Sequence, residues 1–439
     1  MPVPVRRPSA RHALVAGSVG NFVEWYEFGV YGSFATVIAA RFFTPDGGDR
    51  AQALIATYAA FALAFFFRPL GALLFGRLAD RAGRRPALVL AVCLMSGATA
   101  LIGVLPAYSA IGALAPWLLT LLRSVQGLSA GGEFGGAVSL LTETAPAGRR
   151  GRHGAWQSFT VALGLLTGAG LAAALATLLS ESALYAWGWR IPFLLALPLG
   201  AVALWLRLRL PESAPPAGPA TPDGPATPDI AGPPAPPRAP GGTGTVGAVV
   251  LGVGRIMGWS AAGYTFLVVL PSYLQATLGT TFQQALAATF VANLGFAAAI
   301  LPAGALSDRM GRRAVMLTGS ALVVLTAVPL LHLLRDPGTS VAVKAALLAA
   351  AGAMIGLLAG PGPALLAEMF PTRVRSTGLG LAYALSNAVF SGCAGLIVTA
   401  LVRHTGNPDI PAYYAAGACA LAIPALLTLR PDDHLRPLR

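Results

Sequence analysis

Long apolar runs recur along almost the whole chain and are separated by short polar or arginine-bearing stretches. Each run is long enough for a helix that crosses a hydrocarbon core, which takes about 20 apolar residues. Arginine clusters, prolines and turn residues divide the runs into twelve predicted spans. Six precede a break, at residues 14–40, 52–76, 86–106, 113–142, 154–179 and 189–210. Six follow it, at residues 246–275, 282–306, 313–334, 341–366, 374–403 and 411–430. The pattern predicts an all-α membrane protein with twelve transmembrane helices in two six-helix bundles.

The break at residues 211–245 contains twelve prolines. A segment of this composition does not pack a core, so we expect an extended or disordered cytoplasmic tether. A docking site for a proline-reading partner is the alternative. The predicted domains are an amino-terminal bundle (1–210), the linker (211–245) and a carboxy-terminal bundle (246–439).

Composition supports the membrane interpretation. Of the 439 residues, 55% are hydrophobic and 11% are charged, whereas soluble domains carry about 25% charged residues. A soluble enzyme is therefore excluded. The three cysteines lie inside apolar runs, and no disulfide framework, metal cluster, phosphate-binding loop or nucleophile–base arrangement is visible. No cofactor and no enzymatic activity are expected.

The net charge of +13 arises from arginines placed in short loops between spans. This distribution sets orientation in a membrane and argues against nucleic-acid binding. With the amino terminus inside, 21 basic residues face the cytoplasm and six face outward. The sequence thus predicts a multi-pass protein of the plasma or inner membrane with both termini cytoplasmic.

The two predicted bundles carry a repeated loop. The segment GRLADRAGRR at residues 76–85 returns as GALSDRMGRR at residues 304–313, with the shared glycines, aspartate and arginines in the same register. After spans four and ten, Glu143 and Glu368 form a second pair, at nearly the same separation along the chain as the two loops. The halves therefore resemble a duplication of one six-helix unit, related by pseudo-symmetry.

At these loops the chain resembles the major facilitator superfamily, whose hallmark is such a motif between its second and third helices. Further motifs resemble the metabolite:proton symporter family: GNFVEWYEF at 20–28, RPLG at 68–71, RSVQG at 123–127, GGE at 131–133, WGWRIPF at 187–193 and EMFP at 368–371. The resemblance covers about residues 12–430 and implies the major facilitator fold. It also implies proton-coupled uptake of dicarboxylates such as 2-oxoglutarate and citrate, of shikimate, or of the zwitterions proline and glycine betaine. One departure is Glu27, where the family usually has Asp.

Charged side chains within the spans are candidates for the transport chemistry, because charge inside a bilayer is costly and tends to face a cavity and to be paired. Arg123 lies about 15 Å into the fourth span, and Glu27 lies at the middle of the first. A central ion pair between these two is expected. With Glu24, Asn21 and Tyr31, Glu27 forms a polar stripe that should line the central cavity.

The expected mechanism is that a proton on Glu27 or Glu24 frees Arg123 to bind the substrate carboxylate, so that proton and substrate stabilise each other's binding. None of the five histidines lies in mid-span, which favours carboxylates as proton carriers. The alternative is that Glu27 and Arg123 only tie the first and fourth spans together.

Other polar residues within the spans receive separate predictions. Arg68 and Glu133 are expected to form an intrabundle ion pair with a structural or gating role. Arg255 either anchors a substrate's negative end or extends to the cytoplasmic surface. Further candidates for substrate binding in spans seven and eleven are Tyr264, Tyr383 and Asn387.

The repeated loops are expected to act as gates rather than as substrate ligands. Asp80 can accept hydrogen bonds at a helix amino terminus across the interface between the halves, and Arg84 can reach Glu143. The resemblance implies that this network stabilises the outward-open state. The gating residues predicted from the two loops are Asp80, Arg84, Arg85 and Glu143, with Asp308, Arg312 and Glu368 as their counterparts in the second half.

The predicted function is proton-coupled symport of a small carboxylated metabolite, most similar to 2-oxoglutarate or another dicarboxylate, by alternating access. Symport of a zwitterion such as proline or betaine is the first alternative, with an aromatic cage for its cationic end. A proton-driven drug exporter and a non-transporting receptor are alternatives of other classes. The expected partners are protons, the organic substrate and the lipid bilayer, and the expected state is monomeric.

Overall fold

The computed structural model describes residues 10–45, 48–82, 84–131, 133–208, 244–372, 374–436 and 438, and at residues 10–17, 76, 79, 80, 82, 84 and 133 it describes the backbone only. The predicted side-chain roles of Asp80, Arg84 and Glu133 therefore lie outside the described residues. The same holds for nearly all of the predicted linker, so the domain boundaries at 211–245 stay a prediction.

The described chain is helical throughout its membrane-spanning part, and the predicted fold of twelve transmembrane helices is confirmed. The amino-terminal half contains α1 (Ala10–Ser33, continued by Ala35–Ile38 and Ala39–Phe43), α2 (Arg50–Ala82), α3 (Arg84–Val104), α4 (Leu114–Ala130 and Glu133–Glu143), α5 (Arg150–Leu178) and α6 (Glu181–Leu208). The carboxy-terminal half contains α7 (Thr245–Leu278), α8 (Phe282–Met310), α9 (Arg312–Arg335), α10 (Val341–Met369), α11 (Arg375–Thr405) and α12 (Ile410–Leu427).

Ten of these helices are each long and apolar enough to cross a membrane. The other two are α1, which carries two buried carboxylates, and α4, which the structure describes in pieces of 17 and 11 residues. Both helices contribute charged side chains to the interior of the protein.

Glycines set the close approach of helices within each half, and they do so at equivalent places. A Cβ atom at Gly127 of α4 would lie 1.9 Å from the carbonyl oxygen of Ala64 of α2. A Cβ atom at Gly352 of α10 would lie 1.9 Å from the carbonyl oxygen of Ala292 of α8. The two glycines are separated along the chain by the same interval as the repeated glutamates, and the two carbonyls by the same interval as the repeated loops. The duplication therefore extends from the loops into helix packing.

The α8–α9 turn of the repeated loop consists of a single residue, Gly311. Its φ of 87° lies in a region that side chains with a Cβ atom rarely adopt, which explains a glycine at this motif position. The turn lies on the same side as both described chain ends, and we call this side the terminal side. The α1–α2 and α11–α12 turns lie on the opposite side.

The two halves meet along several helix pairs. On the amino-terminal half, α5 packs against α8 and α10, α2 packs against α11, and α1 packs against α7. The second piece of α4 packs against the start of α11, where a Cβ atom at Gly135 would lie 2.2 Å from the carbonyl oxygen of Ser376. These contacts enclose the centre of the protein from both sides of the membrane.

Gly127→Ala should lower stability, since the added methyl group overlaps the backbone of α2 and overpacking costs about 1–3 kcal/mol. The measurement is the melting temperature of the purified protein in detergent. Gly97→Ala on α3 is the matched control, because nothing lies within 4 Å of a Cβ atom there. Equal melting temperatures for the two variants would contradict the packing argument.

Candidate functional site

A cavity lies at the centre of the interface between the halves. Helices α1, α5, α7, α8 and α11 form its walls. We call it the inter-half cavity. Its lining residues are Trp25, Val161, Leu165, Trp259, Ser260, Gly263, Tyr264, Leu267, Val268, Phe296, Tyr383, Asn387 and Ser391.

Two of the lining helices change their winding at the cavity. Helix α7 contains a π-helical turn at Thr265–Val269, and α11 contains one at Asn387–Gly392. Such turns are rare and frequently occur at functional sites, because they free backbone groups and redirect side chains. Here the Asn387 amide donates to the Tyr383 carbonyl (2.9 Å) and accepts from the Ser391 hydroxyl (2.9 Å).

Three of the predicted substrate-binding residues line this cavity: Tyr264, Tyr383 and Asn387. Among the described residues, the buried Tyr264 hydroxyl has no hydrogen-bond partner. The Tyr383 ring stacks on Phe134 of α4 at a centroid distance of 3.5 Å. A polar atom of Tyr264 is therefore open to a ligand, and Tyr383 connects the cavity to the amino-terminal half.

A relay of hydrogen bonds crosses the amino-terminal half beside the cavity. Arg123 donates to the Gln126 side-chain oxygen (2.6 Å), Gln126 donates to the Thr99 hydroxyl (2.5 Å), and Thr99 donates to Glu27 Oε2 (2.6 Å). Glu27 and Arg123 are each 1% exposed. None of the described ion pairs joins Glu27 to Arg123, so the expected direct pair is wrong. Helix α3 is the reason, because it places Thr99 between α1 and α4.

Thr99 has two acceptors for its single hydroxyl proton. One is Glu27 Oε2, and the other is the carbonyl oxygen of Met95 in its own helix (2.9 Å). When the proton points to Met95, the hydroxyl oxygen can accept a hydrogen bond from a protonated carboxyl group. Thr99 can therefore satisfy Glu27 in both of its charge states.

Aromatic rings cover the positive end of the relay. The Arg123 guanidinium lies over the rings of Tyr31, Phe61 and Phe28, at 4.1, 4.8 and 5.0 Å from their centroids. Cation–π attraction is stronger when the cation is desolvated, as it is here. These rings separate Arg123 from the inter-half cavity, since Phe61 packs against Tyr264 of the cavity wall at 6.1 Å.

Arg68 and Glu24 form a second charged pair in the same layer. Arg68 Nη2 lies 2.9 Å from Glu24 Oε1, and both side chains are buried. The N–H bond does not point at the oxygen, so the contact is an ion pair rather than an aligned hydrogen bond. The Arg68 guanidinium also lies over the Phe65 ring, 4.3 Å from its centroid. The described partner of Arg68 is thus Glu24, whereas its predicted partner Glu133 lies outside the described side chains.

Other predicted substrate ligands lie away from the inter-half cavity. Asn21 donates to the Thr160 hydroxyl of α5 (2.6 Å) and so ties α1 to α5. The Tyr31 hydroxyl donates to the Thr57 carbonyl of α2 (3.0 Å). Arg255 donates to the Thr428 hydroxyl just past the end of α12 (2.8 Å), at the terminal side. The expected stripe along α1 therefore faces its own bundle. Arg255 is buried at the terminal end of its own half and neither lines the inter-half cavity nor extends to the surface.

On the terminal side, an arginine of each half forms an ion pair with a glutamate of the other half. Arg150 reaches Glu368 (3.4 Å), and Arg375 reaches Glu143 (2.6 Å). The interval between the two arginines along the chain equals the interval between the two glutamates. The two contacts are therefore pseudo-symmetric copies of each other. Sequence reasoning missed both arginines as gate residues, although this shared interval was a signal for them.

The repeated loop adds a helix cap to this closure. Asp308 accepts hydrogen bonds from the backbone N–H groups of Gly151 (2.7 Å) and Arg152 (2.9 Å) at the start of α5. Arg312 joins Asp308 (2.8 Å) and Glu368 (2.9 Å). The arrangement places a carboxylate of one half at the helix amino terminus of the other, where the helix dipole favours negative charge. Arg85, by contrast, bonds within its own half, to the carbonyl of Leu208.

The opposite side is closed as well. Arg403 of α11 pairs with Asp49 before α2 (2.5 Å), and the Tyr58 hydroxyl of α2 bonds to Ser272 of α7 (2.6 Å). Hydrogen bonds from the backbone N–H groups of Ala51 and Gln52 lower the pKa of Asp49, so the carboxylate facing Arg403 is ionised at neutral pH. With both sides closed, the inter-half cavity is occluded.

Among the described residues, no group of three or more His, Cys, Asp or Glu side chains is arranged to hold a metal ion.

Sequence reasoning missed four residues of the site besides the gate arginines. Gln126 lies in the RSVQG motif and Trp25 in the GNFVEWYEF motif, and these motifs were signals for them, whereas no motif marks Thr99 or Trp259.

Comparison with known proteins identifies the family. Residues 13–215 match the family model described as "Sugar (and other) transporter", and residues 247–439 match that of the Major Facilitator Superfamily. The chain is 37% identical to the ectoine/proline transporter of Corynebacterium glutamicum, over 98% of this chain and 85% of that protein. It is 36% identical to the alpha-ketoglutarate permease of Escherichia coli, over 89% of this chain and 87% of that protein.

Solved structures support the same fold. A crystal structure of a D-xylose-proton symporter covers 98% of this chain with a TM-score of 0.73, at 20% identity and over 99% of that protein. Identity at this level shows the fold alone. Together with the relatives and the repeated loops, it means that the chain belongs to the major facilitator superfamily and, within it, to the metabolite:proton symporters, a family of multi-pass membrane transporters.

Proposed function

We propose that this protein is a secondary active transporter that carries a small carboxylated metabolite together with protons by alternating access, and that it acts as a monomer without enzymatic activity. The observation that carries the proposal is an occluded cavity between the halves, next to a buried carboxylate that a relay of hydrogen bonds joins to a buried arginine. The relatives named for alpha-ketoglutarate and for ectoine and proline support a small polar substrate.

The proposed orientation places the terminal side in the cytoplasm. The loops on that side contain most of the arginines, including the repeated segments at 76–85 and 304–313. Basic residues near the ends of spans are retained in the cytoplasm. The gate made by Arg150, Glu368, Arg375 and Glu143 is then the cytoplasmic gate.

Glu27 is the proposed proton carrier. While ionised, its charge balances Arg123 through Thr99 and Gln126. A proton on Glu27 removes that negative charge, and the Arg123 charge is then available to a substrate carboxylate. Substrate bound near Arg123 in turn makes the protonated state of Glu27 more favourable, so each ligand raises the affinity for the other. Movement of the Phe61 ring brings Arg123 into contact with the inter-half cavity.

The contacts that close the two sides explain how access to the inter-half cavity alternates between the two sides of the membrane. The contacts exchanged between the halves on the terminal side have to break before the cavity opens to the cytoplasm, while those of Arg403 and Tyr58 on the opposite side hold. When the cavity opens to the outside, the contacts of Arg403 and Tyr58 break and the contacts on the terminal side hold. Because the cavity lies between the two halves, a rocking motion of one half against the other is sufficient for this exchange.

A second candidate function is proton-coupled transport of a zwitterion such as proline or betaine. The observation that favours it is the lining of the inter-half cavity, which contains no charged side chain and includes five aromatic rings, those of Trp25, Trp259, Tyr264, Phe296 and Tyr383. Aromatic faces attract quaternary and secondary ammonium groups. A zwitterion would place its cationic end among these rings and its carboxylate toward Arg123.

Glu27→Gln should reduce proton-driven accumulation in proteoliposomes by about tenfold or more, because the side chain keeps its size but no longer takes a proton. Substrate exchange without a proton gradient should continue at close to the original rate. Glu181→Gln, at an exposed position, is the control. Unchanged accumulation in Glu27→Gln would remove Glu27 from the mechanism.

Arg375→Gln should open the terminal side more often. A hydrogen bond to a charged group contributes about 1.5–3 kcal/mol, so labelling through that side should become roughly tenfold faster. The measurement is alkylation of a cysteine placed at Ser260 in the cavity wall, after replacement of Cys93, Cys393 and Cys419. Arg335→Gln breaks an ion pair with Asp409 inside one half and serves as control. Equal labelling rates would argue against a gate at Arg375.

Trp259→Leu separates the two substrate classes. If the substrate is a zwitterion, loss of the ring should weaken betaine uptake by about tenfold, since a desolvated cation–π contact contributes about 2 kcal/mol. If the substrate is a dicarboxylate, 2-oxoglutarate should accumulate and the variant should change its uptake little. Trp187→Leu, at an exposed position, is the control. The readout is uptake of each labelled compound with and without an uncoupler, and accumulation of neither would contradict both candidate functions.

A further inference from the structure

Among the described side chains, four buried charged groups lie in the layer next to the inter-half cavity: Glu24, Glu27, Arg68 and Arg123. Two are carboxylates and two are guanidinium groups, so their charges sum to zero when all four are ionised. Glu24 and Arg68 are in direct contact, 2.9 Å apart, and balance each other. A proton on Glu27 therefore leaves a single positive charge, that of Arg123, for a substrate to neutralise.

The carboxy-terminal half contributes only neutral side chains to the lining of the inter-half cavity. Those with polar atoms include Ser260, Tyr264, Asn387 and Ser391. Ser260 bonds to the hydroxyl of Ser386 (2.9 Å), and Ser391 donates to Asn387 Oδ1 (2.9 Å). The Tyr264 hydroxyl, in contrast, is buried and has no partner within the described part of the chain. It is the group of this wall that is open to a ligand.

A single tyrosine hydroxyl fits a neutral carboxyl group better than a carboxylate. An ionised carboxylate only accepts hydrogen bonds, whereas a protonated carboxyl group both donates and accepts them, as the Tyr264 hydroxyl does. A second negative charge at Tyr264 would also meet no cationic side chain in the cavity lining. Uncompensated charge at this depth is costly. The end of the substrate that lies at Tyr264 should therefore be neutral.

The other described groups around the site do not change this count of charges. Helix α11 contributes Tyr383, and α5 and α8 line the cavity with the apolar Val161, Leu165 and Phe296. The remaining titratable side chains buried near the arginines are tyrosines, which are neutral at physiological pH. They are Tyr26, Tyr31 and Tyr58.

We propose that the substrate binds with one net negative charge, as a dicarboxylate in its singly protonated form, and that Tyr264 selects this form. The placement of the ionised carboxylate at Arg123, and the proton on Glu27, rest on the proposed function. The second proton comes from the outside solution, where it forms an O–H bond with the other carboxylate of the substrate. This bond breaks again after release into the cytoplasm. Two protons thus cross with each dicarboxylate dianion, and the cycle moves no net charge.

The first test measures the accumulation of 2-oxoglutarate in proteoliposomes at a fixed pH gradient, with and without a potassium diffusion potential. One net charge per cycle changes the accumulation ratio by about fiftyfold per 100 mV. The neutral cycle should leave the ratio unchanged. A fiftyfold decrease at an inside-negative potential means one proton per dianion and overturns the proposal. Potential-driven accumulation of betaine or proline alone also overturns it and supports the second candidate function, whereas accumulation of none of the three contradicts both candidate functions.

A double variant, Glu24→Gln with Arg68→Gln, locates the second proton. It removes both charges of the direct pair, so the layer stays neutral, and retained exchange of labelled substrate shows that the variant is folded. Accumulation should remain independent of the potential, because the second proton travels on the substrate. If Glu24 carries that proton instead, the variant moves one net charge, and the accumulation ratio falls by about fiftyfold per 100 mV. That result would overturn the proposal.

A binding measurement on the purified protein does not depend on transport. The methyl ester of the distal carboxyl group of 2-oxoglutarate keeps a single negative charge, whereas the singly protonated share of the free dicarboxylate falls with rising pH. The affinity for the ester relative to 2-oxoglutarate should therefore increase about tenfold for each pH unit between about pH 6 and pH 8. The titration of Glu27 affects both ligands equally and cancels from this ratio. A ratio that does not change with pH, or an ester that does not bind when 2-oxoglutarate does, overturns the proposal.

Tyr264→Phe tests the residue assigned to the neutral end. Loss of one hydrogen bond should weaken the binding of both the ester and 2-oxoglutarate by roughly fivefold. Tyr413→Phe, at an exposed position, is the matched control. Equal affinities in the two variants would overturn the assignment of Tyr264.

Discussion

A charge placed at the depth of the hydrocarbon core has to be neutralised by its surroundings, and the amino-terminal half is built around this constraint. It buries two glutamates and two arginines in one layer. Arg68 and Glu24 are in direct contact, whereas Arg123 and Glu27 are joined through two neutral side chains. A direct pair resists protonation more strongly than a separated one, because attraction falls with distance. In the proposed mechanism, therefore, Glu24 and Arg68 stay paired and Glu27 is the group that exchanges its proton.

Helix α1 presents different faces to its surroundings. Trp25 faces the inter-half cavity, while Glu27 bonds to Thr99 of α3 and Glu24 pairs with Arg68 of α2. Phe28 lies between the faces and is covered by both buried guanidinium groups, at 4.8 Å from Arg68 and 5.0 Å from Arg123. A change in the cavity wall that moves this aromatic layer therefore alters the cover of the arginines. In the proposed mechanism, this aromatic layer is the path by which substrate and proton affect each other without direct contact.

The sequence was sufficient for the twelve helices, because long apolar runs and loop arginines are local signals. The loop motif was also sufficient to predict that Asp308 accepts hydrogen bonds at a helix amino terminus of the other half, but it did not indicate that this helix is α5. The sequence was insufficient to predict which side chains inside the membrane form ion pairs and hydrogen bonds with each other. Depth along a helix places Arg123 and Glu27 at one level, but the rotation of α1 and the insertion of Thr99 from α3 are properties of packing. Arg255 shows the same limit, since its depth was known and its direction was not.

The gate on the terminal side shows what the duplication adds. Each half supplies one arginine and one glutamate, so closure forms two related contacts with a single motion. The contacts differ in their surroundings. Arg312 and Asp308 hold Glu368, which is 10% exposed, whereas the Glu143 side chain is 42% exposed to water. The two glutamates thus differ in how far water reaches them, while the shorter contact is that of Glu143 with Arg375. The repeated sequence thus determines which residues meet across the halves, whereas the exposure of each glutamate depends on its own surroundings.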